Sequence, residues 1–109
     1  MIDWKRVNEL RDEVGPDDFD EVIDIFLDEV ETTLSAMADL PSDADIGPSL
    51  HFLKGSALNI GFQALADICG AGERIAAAGG SSGLDRHQVA TCYAASKAAF
   101  LAGEQSVAA

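Results

Sequence analysis

The chain has 109 residues and a mass of 11.4 kDa, is 48% hydrophobic and 24% charged, and carries a formal net charge of −12. That is one globular domain, long enough to bury a core without disulfide or metal staples. Such acidity repels phosphate backbones and anionic lipid, which excludes nucleic acid and membrane surfaces as partners. No apolar run approaches the ~18–20 residues of a membrane span. The opening Met1-Ile2-Asp3-Trp4-Lys5-Arg6 lacks the order of a signal peptide. Cys69 and Cys92 form no CxxC pair and read as reduced core thiols of a cytoplasmic protein.

In chain order, the apolar spacing predicts helices and no strand. Trp4, Val7, Leu10 and Val14 share one side of a short helix over 4–14, with Asp3 as N-cap and Gly15 as its stop. Pro16 opens a long helix over about 17–40. Phe19, Val22, Ile23, Phe26, Val30, Leu34 and Met37 form its inner stripe, and Asp20, Asp24, Asp28 and Glu31 lie on a solvated face. A third helix over about 46–60 turns Leu50, Leu53, Ala57 and Ile60 inward. Asp45 is its expected N-cap, which places Pro48 at the third helical position. Beyond Gly61 a fourth helix over about 63–78 carries Leu65, Ile68, Cys69 and Ile75 inward, with Gly70 and Gly72 permitting close helix approach. Gly79-Gly80-Ser81-Ser82-Gly83 is a loop. Asp85 and Gln88 then form a capping-box start for a last helix over about 86–102, with a frayed tail over 103–109. Amphipathic helices joined by short loops predict an all-α, antiparallel up-and-down bundle as a single domain over 1–109.

Catalytic constellations are scarce. There is no phosphate-binding Gly-rich loop, no GxSxG and no HExxH, and His51, His87 and the two cysteines do not complete a zinc set. No metal and no cofactor is expected. His87, Trp4 and Tyr93 read as surface or packing residues, and Ser56 is as well explained by a bond to its own helix backbone as by any other role.

The segment from His51 to Gly61 stands apart. At ~100° per residue, His51 points away from the inner stripe, with Lys54 one turn along and Gly55, Leu58 and Phe62 stacked above it. An exposed imidazole is largely neutral and nucleophilic near pH 7. A neighbouring lysine disfavours the imidazolium and stabilises an added phosphoryl group. Gly55, a cost in mid-helix, clears room for an approaching protein.

The pattern His51-x-Leu53-Lys54-Gly55-Ser56-x-x-x-Ile60-Gly61 resembles, in type and spacing, the signature of the histidine-containing phosphotransfer (HPt) domains of two-component relays. The outline is similar over about residues 4–102: a long helix before the motif, a turn at Gly61, and a helix carrying Cys69 and Glu73. Gly47-Pro48, which interrupts the helix before the histidine, and Gly72 depart from the family pattern. The resemblance implies a four-helix bundle, here with an additional short N-terminal helix. It implies that His51 is a phosphoacceptor, that Lys54 contacts the phosphoryl group, and that the partners are response-regulator receiver domains, with a sensor histidine kinase as a further candidate. Gly55, Leu58 and Phe62 are the expected docking patch, on a monomer that carries phosphate and is not itself an enzyme. A binding-only helical adaptor is the alternative. A histidine kinase is disfavoured by the lack of a nucleotide-binding segment.

Overall fold

The computed structural model describes residues 1–41, 45–79 and 85–108. Within them the chain forms α1 (Trp4–Val14), α2 (Pro16–Ala38), α3 (Gly47–Ile60), α4 (Gln63–Ala77) and α5 (Arg86–Ala108), with no strand beyond an isolated bridge between Ile2 and Phe62. The loop expected over 79–83 lies, after Gly79, outside the described residues.

Helices α2 to α5 form an antiparallel up-and-down four-helix bundle, each packed on the next and α5 closing back on α2, while α1 lies against α2 and α3. The ends fix the directions. Arg86 at the start of α5 donates to the carbonyl oxygens of Met37 and Leu40, both at 2.7 Å, and so satisfies the exposed end of α2. Gly47 at the start of α3 lies against Ala76 near the end of α4. The core is apolar along its length: Phe19, Ile23, Leu27, Val30 and Met37 of α2 meet Leu50, Leu53, Ala57 and Ile60 of α3, Leu65 and Cys69 of α4, and Val89, Tyr93 and Phe100 of α5.

Asp3 caps α1 by accepting from the Arg6 amide at 3.3 Å, and Gly15 ends it at φ +88°. Asp85 accepts from the Gln88 amide at 3.1 Å at the start of α5. Two expectations are corrected. Ile46, not Asp45, is the N-cap of α3, so Pro48 sits a position earlier than the sequence suggests. Ile46 is almost fully buried, and core packing outweighs the polar preference for that position. Helix α5 also does not fray at Gly103 but runs to Ala108. Gly103 is a packing glycine: a Cβ there would lie 2.1 Å from the Trp4 ring, so this helical position suits no larger residue.

The N-terminal segment clips the α3–α4 turn. The Asp3 amide donates to the Gly61 carbonyl at 2.7 Å, the Ala64 amide to the Met1 carbonyl at 3.2 Å, and Arg6 Nε to the Asn59 carbonyl at 2.9 Å. Trp4 stacks on Phe100 at 5.8 Å between centroids, and Arg11 pairs with Glu104. This end of α3 is thereby held, while the outward face of the helix stays open to solvent.

Candidate functional site

The outward face of α3 carries the histidine. Leu50, Leu53 and Ala57 are fully buried. They fix the rotation of the helix, and residue 51 is left outward with 73% of its side chain exposed. His51 Nδ1 lies 3.2 Å from Glu73 Oε2 on α4. The other carboxylate oxygen of Glu73, shut off from solvent, is 3.0 Å from Lys54 Nζ. One carboxylate thus joins the two side chains of α3 that the sequence singles out. The Lys54 ammonium, and after it the His51 ring, hold the Glu73 carboxyl below the usual carboxylate range, so it is ionised at neutral pH.

This geometry fixes the chemistry of the ring. An ionised carboxylate only accepts, so the nitrogen facing it carries the proton. In neutral His51 the proton is then on Nδ1, and Nε2 keeps the lone pair. Glu73 is the site residue that the motif alone did not reveal. Its signal was a lone carboxylate in the small-residue run Gly70-Ala71-Gly72-Glu73-Arg74: a charge on a helix that presses closely on a neighbour usually has a partner there.

Lys54 is about one-third exposed, its stem against Gly70, where an added Cβ would sit 3.5 Å from Lys54 Cδ. Gly55 faces open space, with nothing within 4 Å of a Cβ built on it. Leu58 is 49% exposed and Phe52, which the sequence reading did not single out, is 43% exposed. Phe62 is a correction: it is fully buried and packs on Tyr93 and Phe100 at 6.3 and 5.6 Å. The helical rotation that put it beside His51 stops at Gly61, whose φ of +85° turns the chain and delivers the next side chain to the core.

Two clefts along the α3–α4 seam flank the Lys54–Glu73–His51 row. One, of about 430 Å³, is lined by Gly47, Pro48, His51, Glu73, Ala76 and Ala77. The other, of about 420 Å³, is lined by Lys54, Leu58, Ala66, Asp67, Gly70 and Arg74. Among the described residues no group of three or more His, Cys, Asp or Glu side chains is placed to hold a metal ion. Cys69 and Cys92 are free, and burial first of all pushes the Cys69 thiol up to about 12, which keeps it protonated and unreactive.

The family model of the Hpt domain matches residues 21–100. The chain therefore belongs to the Hpt domain family, and its role is phosphotransfer in two-component relays, as a phosphocarrier rather than a catalyst. No curated protein and no solved structure matches it. No helix among the described residues is long and apolar enough to cross a membrane.

Proposed function

We propose that His51 is the phosphoacceptor and that Nε2 is the atom that reacts. The observation that carries this reading is the His51–Glu73 contact on a ring otherwise open to solvent: it occupies Nδ1 and leaves Nε2 unhindered. In the forward step the Nε2 lone pair attacks the phosphorus of a receiver's aspartyl phosphate. The N–P bond forms, the P–O bond to the aspartyl oxygen breaks, and the electron pair leaves with the carboxylate. The Nδ1 proton stays in place, so the phosphorylated ring becomes cationic with Glu73 beside it to offset that charge. Lys54 is placed one turn away to approach the incoming phosphoryl oxygens. The reverse attack by a second receiver's aspartate passes the group on. Phosphoryl transfer depends mainly on positioning and charge neutralisation, and the receiver supplies the acidic pocket and metal for it.

Gly55 and Leu58, joined by Phe52, form the docking face in this reading. The partners are response-regulator receiver domains, with a sensor histidine kinase as an alternative donor. In this reading the protein acts as a monomer in the cytoplasm; the unpaired thiols of Cys69 and Cys92 fit such a reducing compartment.

The test is incubation with purified receiver domains charged by acetyl phosphate and Mg²⁺, and with autophosphorylated kinases, followed by acid treatment. The wild-type chain is expected to take up acid-labile phosphate. His51→Gln is expected to fold with an unchanged melting temperature and to take up none. Label retained on that variant, or appearing at His87, overturns the assignment. Receiver binding with no labelling of the wild type indicates a binding-only adaptor instead.

A further inference from the structure

We infer that Arg74 on α4 is a docking residue that receives a carboxylate of the receiver domain, which extends the interaction surface from α3 across the seam onto α4. The inference rests on the phosphotransfer reading above and names a partner contact within it.

The chain has seven Lys and Arg against nineteen Asp and Glu. Arg6 pairs with Glu9 and Glu13, Arg11 with Glu104, Lys54 with Glu73, and Lys97 with Glu31. Arg86 is engaged on the carbonyl oxygens at the end of α2. Only Lys5 and Arg74 have a side-chain charge with no partner among the described residues. In a molecule this acidic a guanidinium has many carboxylates to fold onto, and Arg74 folds onto none of those among the described residues.

Position then separates these two. Lys5 is on α1, which is tied to the Gly61 end of α3, ~15 Å along the axis from His51 at ~1.5 Å per residue. Arg74 follows Glu73 directly. Its guanidinium turns back over Gly70, with Nη1 3.7 Å from where a Cβ would be, beside the stem of Lys54. Arg74, Lys54 and Leu58 line one cleft. A partner that covers His51 and Leu58 must therefore also cover the guanidinium. The acid in the same cleft, Asp67, accepts instead from Gln63 at 2.9 Å. Lys54 is neutralised by Glu73, so among the described residues Arg74 is the cation of the seam without a partner. A planar, five-donor guanidinium fits a carboxylate or a phosphate; with the phosphoryl group directed to His51 and Lys54 in the reading above, what a docked receiver offers Arg74 is a carboxylate.

A rim charge of this kind acts on encounter and affinity and not on the chemical step. The experiment uses the receiver that labels the wild-type chain fastest in the panel described above. If none labels it, the phosphotransfer reading fails and the docking assignment fails with it. With a working receiver, Arg74→Ala is expected to raise KM for the receiver about three- to fivefold at low salt with kcat unchanged. The difference should vanish between about 0.05 M and about 0.5 M salt. Arg74→Lys should recover part of the loss, and Lys5→Ala should match the wild type. Unchanged KM in Arg74→Ala overturns the assignment. So does an equal loss in Lys5→Ala, which would indicate only the overall field, or a fall in kcat with KM unmoved. In each of these cases His51 labelling still stands.

Discussion

Gly55 and Gly61 belong to the same helix and its cap, yet the space around them differs completely. A Cβ on Gly55 would meet nothing within 4 Å. One on Gly61 would lie 2.7 Å from the Asp3 carbonyl oxygen and 3.0 Å from Val7 Cγ2, at a φ of +85°. Gly103 on α5 is crowded in the same way by the Trp4 ring. At Gly61 and Gly103 glycine lets the protein's own chain close in; at Gly55, on the outer face of α3, the space stays open. The parts that close in, Asp3, Trp4 and Val7, all precede the matched span of 21–100. Helix α1 and the residues before it lock the end of the α3–α4 hairpin away from the histidine.

The largest effect expected from this contrast is at Gly61. Gly61→Ala adds the left-handed backbone penalty to a collision with a backbone oxygen that cannot rotate away. Together these cost about 2–4 kcal/mol. For a domain of this size each kcal/mol is worth about 4–8 °C in melting temperature. Thermal unfolding of Gly61→Ala within 2 °C or so of the wild type would mean that the Met1–Asp3 segment is not held as described.

Gly103→Ala comes next. The obstacle there is a side chain, which can move, so the cost is smaller, about 1–3 kcal/mol. Moving it takes Trp4 off Phe100. Trp4 is the only tryptophan, so its emission should shift to the red in the folded variant. A destabilised protein with unchanged emission would show that the strain is relieved elsewhere.

Much of this was legible beforehand. The helix over 4–14 and its Asp3 cap were readable because spacing and capping chemistry agree there. Leu50, Leu53 and Ala57 sufficed to turn His51 outward. What failed did so where the chain leaves a regular helix or meets a distant one. A fixed rotation per residue puts Phe62 on the wrong face because it cannot pass a left-handed glycine. The start of α3 slipped because the burial of Ile46 depends on the whole core. Gly103 read as an end because only the position of Trp4, from the far end of the chain, shows it to be a contact. Glu73 was in view as part of the family outline, but its bond to His51 joins residues on different helices, and no helical spacing reports that.

The smallest expected change in stability is at Gly55, and it separates the two uses of glycine most cleanly. Residue 55 is in mid-helix, exposed and unobstructed. Gly55→Leu should leave the melting temperature unchanged or raise it, because glycine costs a helix interior about 0.8–1 kcal/mol relative to good formers. The same side chain stands one turn from His51, on the surface that, in the proposed transfer, a receiver covers to bring its aspartyl phosphate to Nε2. Labelling of His51 from a charged receiver should therefore be lost. Gly55→Ala, with only a methyl group in the way, should be intermediate in labelling and equally stable. A small donor that needs no docking, phosphoramidate, should label all three proteins at similar rates. Stability and labelling falling together would make Gly55 a packing glycine like Gly61. Full receiver-dependent labelling of Gly55→Leu would move the docking face off this side of α3.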